Sequence, residues 1–95
     1  MTKLFESTVV KAQDVLHRQI GEEAVVLHME KEQYMGFDEI ANRMWQVLTT
    51  SPSIQAAYDI LLAEFDVEAD KLRRDLDDFV QELVHLGLVH VENHS

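Results

Sequence analysis

The sequence predicts an α+β fold, with strands gathered at the front of the chain and helices behind them. Three observations predict it: short β-type runs up to Phe37, a change to helical spacing at Asp38, and no alternation of strands with helices of the kind that builds parallel sheets. The chain has 95 residues, so residues 1–95 are read as one domain with its core between Val15 and Val91. A hydrophobic share of 46%, with three Gly and one Pro, excludes a disordered or collagen-like polymer. The absence of Cys removes disulfides, thiol nucleophiles and cysteine-bound metal centres.

Three strands are expected: Val15–Ile20, Ala24–Met29 and Gln33–Phe37. Gly21-Glu22-Glu23 and Glu30-Lys31-Glu32 form the connecting turns, the first with a glycine free to take positive φ and the second fully charged. Setting Ile20 opposite Glu23 pairs Leu16 with Leu27 and gives Ile20, Val25, Leu27 and Met29 one face, read as the core side. A symmetric second turn sets Met29 against Tyr34 and leaves His17, Val26, His28 and Met35 on the other face. Val9-Val10 is ambiguous and is read as an extended arm.

From Asp38 the apolar residues Phe37, Ile40, Ala41, Met44, Trp45 and Leu48 recur three and four apart, with Asp38 as N-cap. Thr49-Thr50-Ser51-Pro52 ends that helix. Ser53 caps a second one striped by Ile54, Ala57, Tyr58, Leu61 and Phe65. A third starts near Glu68, aligns Leu72, Leu76, Phe79, Leu83 and Leu86, and stops at Gly87. Leu88–Val91 reads as an extended return that packs on the sheet. A three-stranded antiparallel meander followed by three helices has the composition of a winged helix-turn-helix with the wing placed first.

Eighteen acidic against eight basic residues give a net charge of -10, a field that repels phosphate backbones and anionic lipid. Nucleic acid and membrane are therefore not expected as partners. Met1 to Glu6 lacks the apolar run of a signal peptide, and no stretch approaches the roughly 18 to 20 apolar residues that cross a bilayer, so a cytoplasmic location is expected.

No catalytic motif is present: there is no glycine-rich phosphate loop, no Gly-x-Ser-x-Gly and no His-Glu-x-x-His. No catalytic residue, cofactor site or metal site is assigned, and the chain is not read as an enzyme. His17 and His28 share an outer sheet face but lack a third ligand. His85, His90 and His94 cluster where a helix C-terminus favours cations. Trp45 is read as core, Met29, Met35 and Met44 as gap-filling core or an adaptable apolar groove. The charges of the third helix, Lys71, Arg73, Arg74, Asp75, Asp77, Asp78 and Glu82, are read as a solvated face.

Geometry supplies the functional lead. Gln33–Phe37 is an edge strand, and Val80 and Val84 widen the apolar arc of the third helix toward Arg73 and Asp77. A groove between them would take an extended peptide as a fourth strand; the competing reading packs Val80 and Val84 under the N-terminal arm or the C-terminal tail.

The run Tyr34-Met35-Gly36-Phe37-Asp38-Glu39-Ile40-Ala41-Asn42-Arg43-Met44-Trp45-Gln46-Val47-Leu48 resembles the block of the PqqD-like family in which an aromatic, a small residue and Leu-Asn/Asp precede Ile-Trp-x-x-Leu. Phe65-Asp66-Val67, then Asp75-Leu76, Phe79-Val80, Leu83 and Gly87-Leu88-Val89, resemble its closing helix, in which Asp75 and Phe79 are read as structural. The resemblance spans about Val15 to Val91. It implies a RiPP precursor peptide recognition element: a non-catalytic winged helix-turn-helix that binds the leader of a ribosomally made, modified peptide as a strand added to Gln33, Tyr34 and Met35. On the helix side, geometry rather than motif assigns Leu72, Arg73, Leu76, Asp77 and Val80.

As a free-standing chain it resembles the recognition proteins of lasso-peptide clusters and the chaperone of the pyrroloquinoline quinone pathway. Glu32-Gln33-Tyr34-Met35-Gly36-Phe37-Asp38 stands where the latter would carry Pro-Glu before its Leu-Asn block, which favours the lasso type. A lasso setting implies a leader peptidase and a ring-closing cyclase as partners. A DNA-binding winged helix remains the competing class, favoured by architecture and opposed by charge.

Overall fold

Asp38 and Ser53 begin two helices in the way their short polar side chains dictate. Asp38 Oδ1 accepts from the Ala41 N–H at 2.8 Å and opens α1 (Glu39–Thr50), and Ser53 Oγ accepts from the Ala56 N–H at 3.0 Å and opens α2 (Ile54–Glu64). The third helix, α3 (Ala69–His85), ends at Gly87, whose φ of +74° is the left-handed conformation that glycine takes without penalty. The structure, a computed structural model, describes residues 4–93. His94, grouped in the sequence with His85 and His90, lies outside the described residues, as do Met1 to Lys3.

The protein is α+β, and its described residues form three α-helices and five strands in two antiparallel sheets. The expected meander consists of β2 (Val15–Ile20), β3 (Glu23–His28) and β4 (Gln33–Phe37), in the order β2-β3-β4. The ambiguous Val9-Val10 segment is a strand, β1 (Thr8–Lys11), and it pairs with the return strand β5 (Val89–Glu92). The return therefore does not pair with the meander: the main-chain groups of the two terminal segments satisfy each other in a sheet of their own, while Leu88 and Val89 join the same core as Val15, Val26 and Phe37. A short 3-10 turn, Leu4–Glu6, brings Phe5 onto α2, where its ring meets Tyr58 edge-on at 6.0 Å.

The first hairpin has the expected register, Ile20 opposite Glu23 and Leu16 opposite Leu27. In the second, Leu27 rather than Met29 lies opposite Tyr34, a slip of two residues that preserves the faces. The core side, however, is the reverse of the expected one. Val15, Ala24, Val26, His28 and Phe37 are buried, while Ile20 (61% exposed), Met29 (55%) and Tyr34 (69%) face solvent. Phe37 decides this. Its ring packs at 5.6 Å from Trp45 and 5.3 Å from Phe79, and because it pairs with Ala24, Ala24 and Val26 go inward with it.

His17 and His28 do share a face, but it is the inner one. His17 stacks on Trp45 at 6.2 Å and its Nε2 hydrogen-bonds Asn42 Oδ1 at 2.8 Å; His28 Nδ1 accepts from the Lys31 N–H at 3.1 Å. Asn42, itself buried, donates to Gln19 Oε1 and so ties α1 to β2. No helix among the described residues is long and apolar enough to cross a membrane.

Candidate functional site

The open edge of β4 can be resolved atom by atom. The Met29 N–H donates to Asp14 O at 2.9 Å, which fixes the alternation along β3: Glu23, Val25 and Leu27 direct their main-chain groups to β2, and Ala24, Val26 and His28 direct theirs to β4. Their partners Phe37, Met35 and Gln33 are thereby satisfied. Tyr34 and Gly36 turn N–H and C=O outward, and among the described residues no strand pairs with them. Of the three residues assigned to the strand, Tyr34 alone offers main-chain groups to a ligand, while Gln33 and Met35 hold β4 in place. Met35 is half-buried beneath the edge.

Helix α3 runs beside this edge in the opposite direction. Phe79, in its middle, touches Phe37 at the end of β4. Lys31, just before β4, lays its side chain against Gly87, where a Cβ would fall 3.1 Å from Nζ. At about 100° per residue, Asp75, Phe79, Glu82 and Leu86 lie within about 60° of one another, on the flank where Phe79 meets β4.

Three residues past Phe37, Ile40 lines an apolar cleft of about 300 Å³ between α1, α3 and the link from α2. Ile40 and Met44, Phe65 and Val67, and Leu72 line it, with Lys71 and Asp75 at the rim in a 2.9 Å ion pair. Ile40, although at a stripe position of α1, is 54% exposed because nothing covers the first turn of the helix on this side. Sequence reasoning did not single out Ile40, Phe65 or Val67 as a site. The only pointer was that Phe65-Asp66-Val67 stands in the run that resembles the family.

The helix-side residues assigned from the sequence fall elsewhere. Leu76 and Val80 are fully buried, and Leu72 nearly so, reaching a ligand only as cleft wall. Arg73 and Asp77 lie about 150° or more around the helix from the β4 flank. The Arg73 guanidinium sits 4.1 Å from the centroid of the Phe5 ring, and Asp77 Oδ1 accepts from Gln81. Of the two readings of the arc toward Arg73 and Asp77, a binding wall or packing under a terminal segment, the second fits this flank, where Phe5 packs and Val80 is buried while Val84 stays 42% exposed.

A larger, polar cavity of about 430 Å³ lies behind α1, lined by Gln19, Glu22, Arg43, Gln46 and Glu64 among others. Its principal feature is a clamp between α1 and α2: Arg43 Nε and Nη2 each donate to a Glu64 carboxylate oxygen at 2.8 Å. That hydrogen bonding raises the pKa of Arg43 and holds the Glu64 carboxyl below the usual carboxylate range. Among the described residues no group of three or more metal-ligating side chains comes together.

A family model described as coenzyme PQQ synthesis protein D (PqqD) matches residues 23–89 of the chain. Among solved structures, TbiB1 in complex with the TbiA(beta) leader peptide is similar, with 28% identity and a TM-score of 0.78 over 85% of this chain and 94% of that one. No curated protein matches.

Proposed function

The chain belongs to the PqqD family, and from that premise we propose that it is a non-catalytic adaptor that captures the leader segment of a ribosomally made precursor peptide. The single observation that carries the reading is the pair of outward main-chain positions, Tyr34 and Gly36, beside an open apolar cleft. An incoming strand would bond both residues and place alternate side chains toward α3, with one anchored among Ile40, Phe65 and Leu72. Gln33 and Met35 keep the edge straight, Leu72 walls the cleft, Leu76 and Val80 support it from below, and Arg73 and Asp77 stabilise the far flank. That the similar TbiB1 structure carries a leader peptide supports the same ligand class here.

Presentation to a leader peptidase, and through it to a cyclase, follows if the pathway is of the lasso type, the reading favoured by the missing Pro-Glu. The family model's description favours a second reading, a chaperone in pyrroloquinoline quinone synthesis. The same view treats residues 1–95 as one recognition domain. It takes the helices with the β2–β4 meander as a winged helix-turn-helix, supported by the short Ser51–Ser53 link between α1 and α2. A net charge of -10 weighs against DNA. The test is a fluorescence-anisotropy titration with the labelled leader encoded beside the gene. Saturable binding that Tyr34→Pro weakens supports the reading, and no binding of that leader, with or without its core peptide, refutes it.

A further inference from the structure

We infer that the segment held by this groove is cationic: an extended peptide with an apolar side chain for the cleft and Lys or Arg at neighbouring positions facing α3. The inference rests on the leader-binding reading and adds to it the charge of the ligand. The floor of the groove is uncharged, the Tyr34 and Gly36 main chain and the cleft residues Ile40, Phe65 and Leu72; its charge comes from the α3 wall and from Asp66 at the cleft. Asp75 and Glu82 lie on the flank that also carries Phe79, and Asp78, three residues from one and four from the other, continues their row on the solvent side about 100° from Phe79.

Lys71 neutralises Asp75, but among the described residues neither the Asp78 nor the Glu82 carboxylate has an ion-pair or hydrogen-bond partner. Like charges at i,i+4 disfavour a helix, so the Asp78–Glu82 pair costs the fold something, which Arg74, four residues before Asp78, offsets only in part because it forms no ion pair with it. Of the other cations of the helix, Arg73 is on the opposite flank against Phe5, and Arg74, which lines the cavity beside it, stands one turn before Asp78 on the solvent side. At the other end of β4, Glu30 and Glu32 are exposed, and between them Lys31 lays its ammonium group and adjoining methylenes over Gly87, just past the end of α3. A peptide in this groove therefore meets carboxylates along its α3 side, and a basic side chain would restore what the row lacks. Asp75 to Glu82 spans about 10 Å of helix axis, about three residues of extended peptide, so the anchor and the basic residue should stand two to four positions apart.

A displayed library of random 12-residue peptides, panned on the full chain and counter-screened on Tyr34→Pro, tests this without a known precursor. Edge-dependent binders should be enriched in Lys or Arg two to four positions from a large apolar residue. They should lose roughly tenfold in affinity on Asp75→Asn/Asp78→Asn/Glu82→Gln, since exposed pairs contribute a few-fold each. The triple variant removes only exposed carboxylates, and circular dichroism checks that it is folded. Edge-dependent binders that lack basic enrichment, or bind the triple variant equally well, overturn the charge inference and leave the adaptor reading intact. If no binder depends on Tyr34, the adaptor reading fails and takes this inference with it.

Discussion

The two flanks of α3 are built from the same kinds of residue and end in opposite states. On the Phe5 flank, charge is absorbed: Arg73 lies over an aromatic ring, Asp77 takes a hydrogen bond from Gln81, and Val80 is buried. On the β4 flank, main-chain groups at Tyr34 and Gly36, the cleft around Ile40, and the carboxylates Asp78 and Glu82 remain unanswered by the protein. Water serves each such group singly, and β2 is an edge strand too, so what distinguishes this flank is that an open edge, an apolar cleft and unpaired carboxylates adjoin one another. A side chain's chemistry alone does not make this distinction. Arg73 would look like a ligand contact on either flank, and its partner ring decides otherwise.

The sharpest way to break the comparison is at the residue both sides depend on. Phe37→Ala removes the ring that joins β4 to Trp45 and Phe79, and should cost about 3–5 kcal/mol in denaturant unfolding. Proline then separates inward from outward positions. Met35→Pro deletes a ladder bond to Val26 and should destabilise by about 3 kcal/mol. Tyr34→Pro deletes only an outward donor, so it should weaken leader binding roughly tenfold while unfolding stability moves much less. Equal effects of the two prolines on stability would mean that the Tyr34 amide is already used by the fold.

On the closed flank, Arg73→Ala should lower stability by about 0.5–2 kcal/mol through loss of the ring contact, with leader affinity unchanged in a titration at fixed salt. A large affinity loss with stability intact would reverse the assignment of the flanks. The smallest effect concerns the clamp remote from both. The Glu64 carboxyl is held below its usual range by Arg43, so whatever stability the pair provides is complete above the ordinary carboxylate pKa and is lost as pH falls through the lowered one. Thermal melts of Glu64→Gln and wild type should differ slightly at neutral pH and converge in acid. A gap that widens on acidification would contradict the assigned direction.

Most of the helical framework was legible in the sequence because local chemistry determines it: Asp38 and Ser53 cap, Gly87 terminates, and Ile20 faces Glu23 across a two-residue turn. The inward face of the meander was not, because Ala24-Val25-Val26-Leu27 is apolar at every position and shows no alternation. The cue lay in Phe37, counted in the stripe of α1 yet placed by its strand on the face of Val26 and Met35; honouring both would have turned the sheet over. The β1–β5 pairing joins segments about 80 residues apart, a match that local pattern does not encode. The cleft was missed for a related reason: Ile40, Phe65 and Leu72 come from three elements and meet only in the packed chain.

Strand addition at β4 is tested most directly by amide hydrogen exchange measured residue by residue with and without the leader peptide. In the free protein, Tyr34 and Gly36 should exchange quickly while Gln33, Met35 and Phe37 are protected, and saturating leader should slow Tyr34 and Gly36 in particular. Protection of those two amides before any peptide is added, or rapid exchange that persists at saturation, would contradict the account.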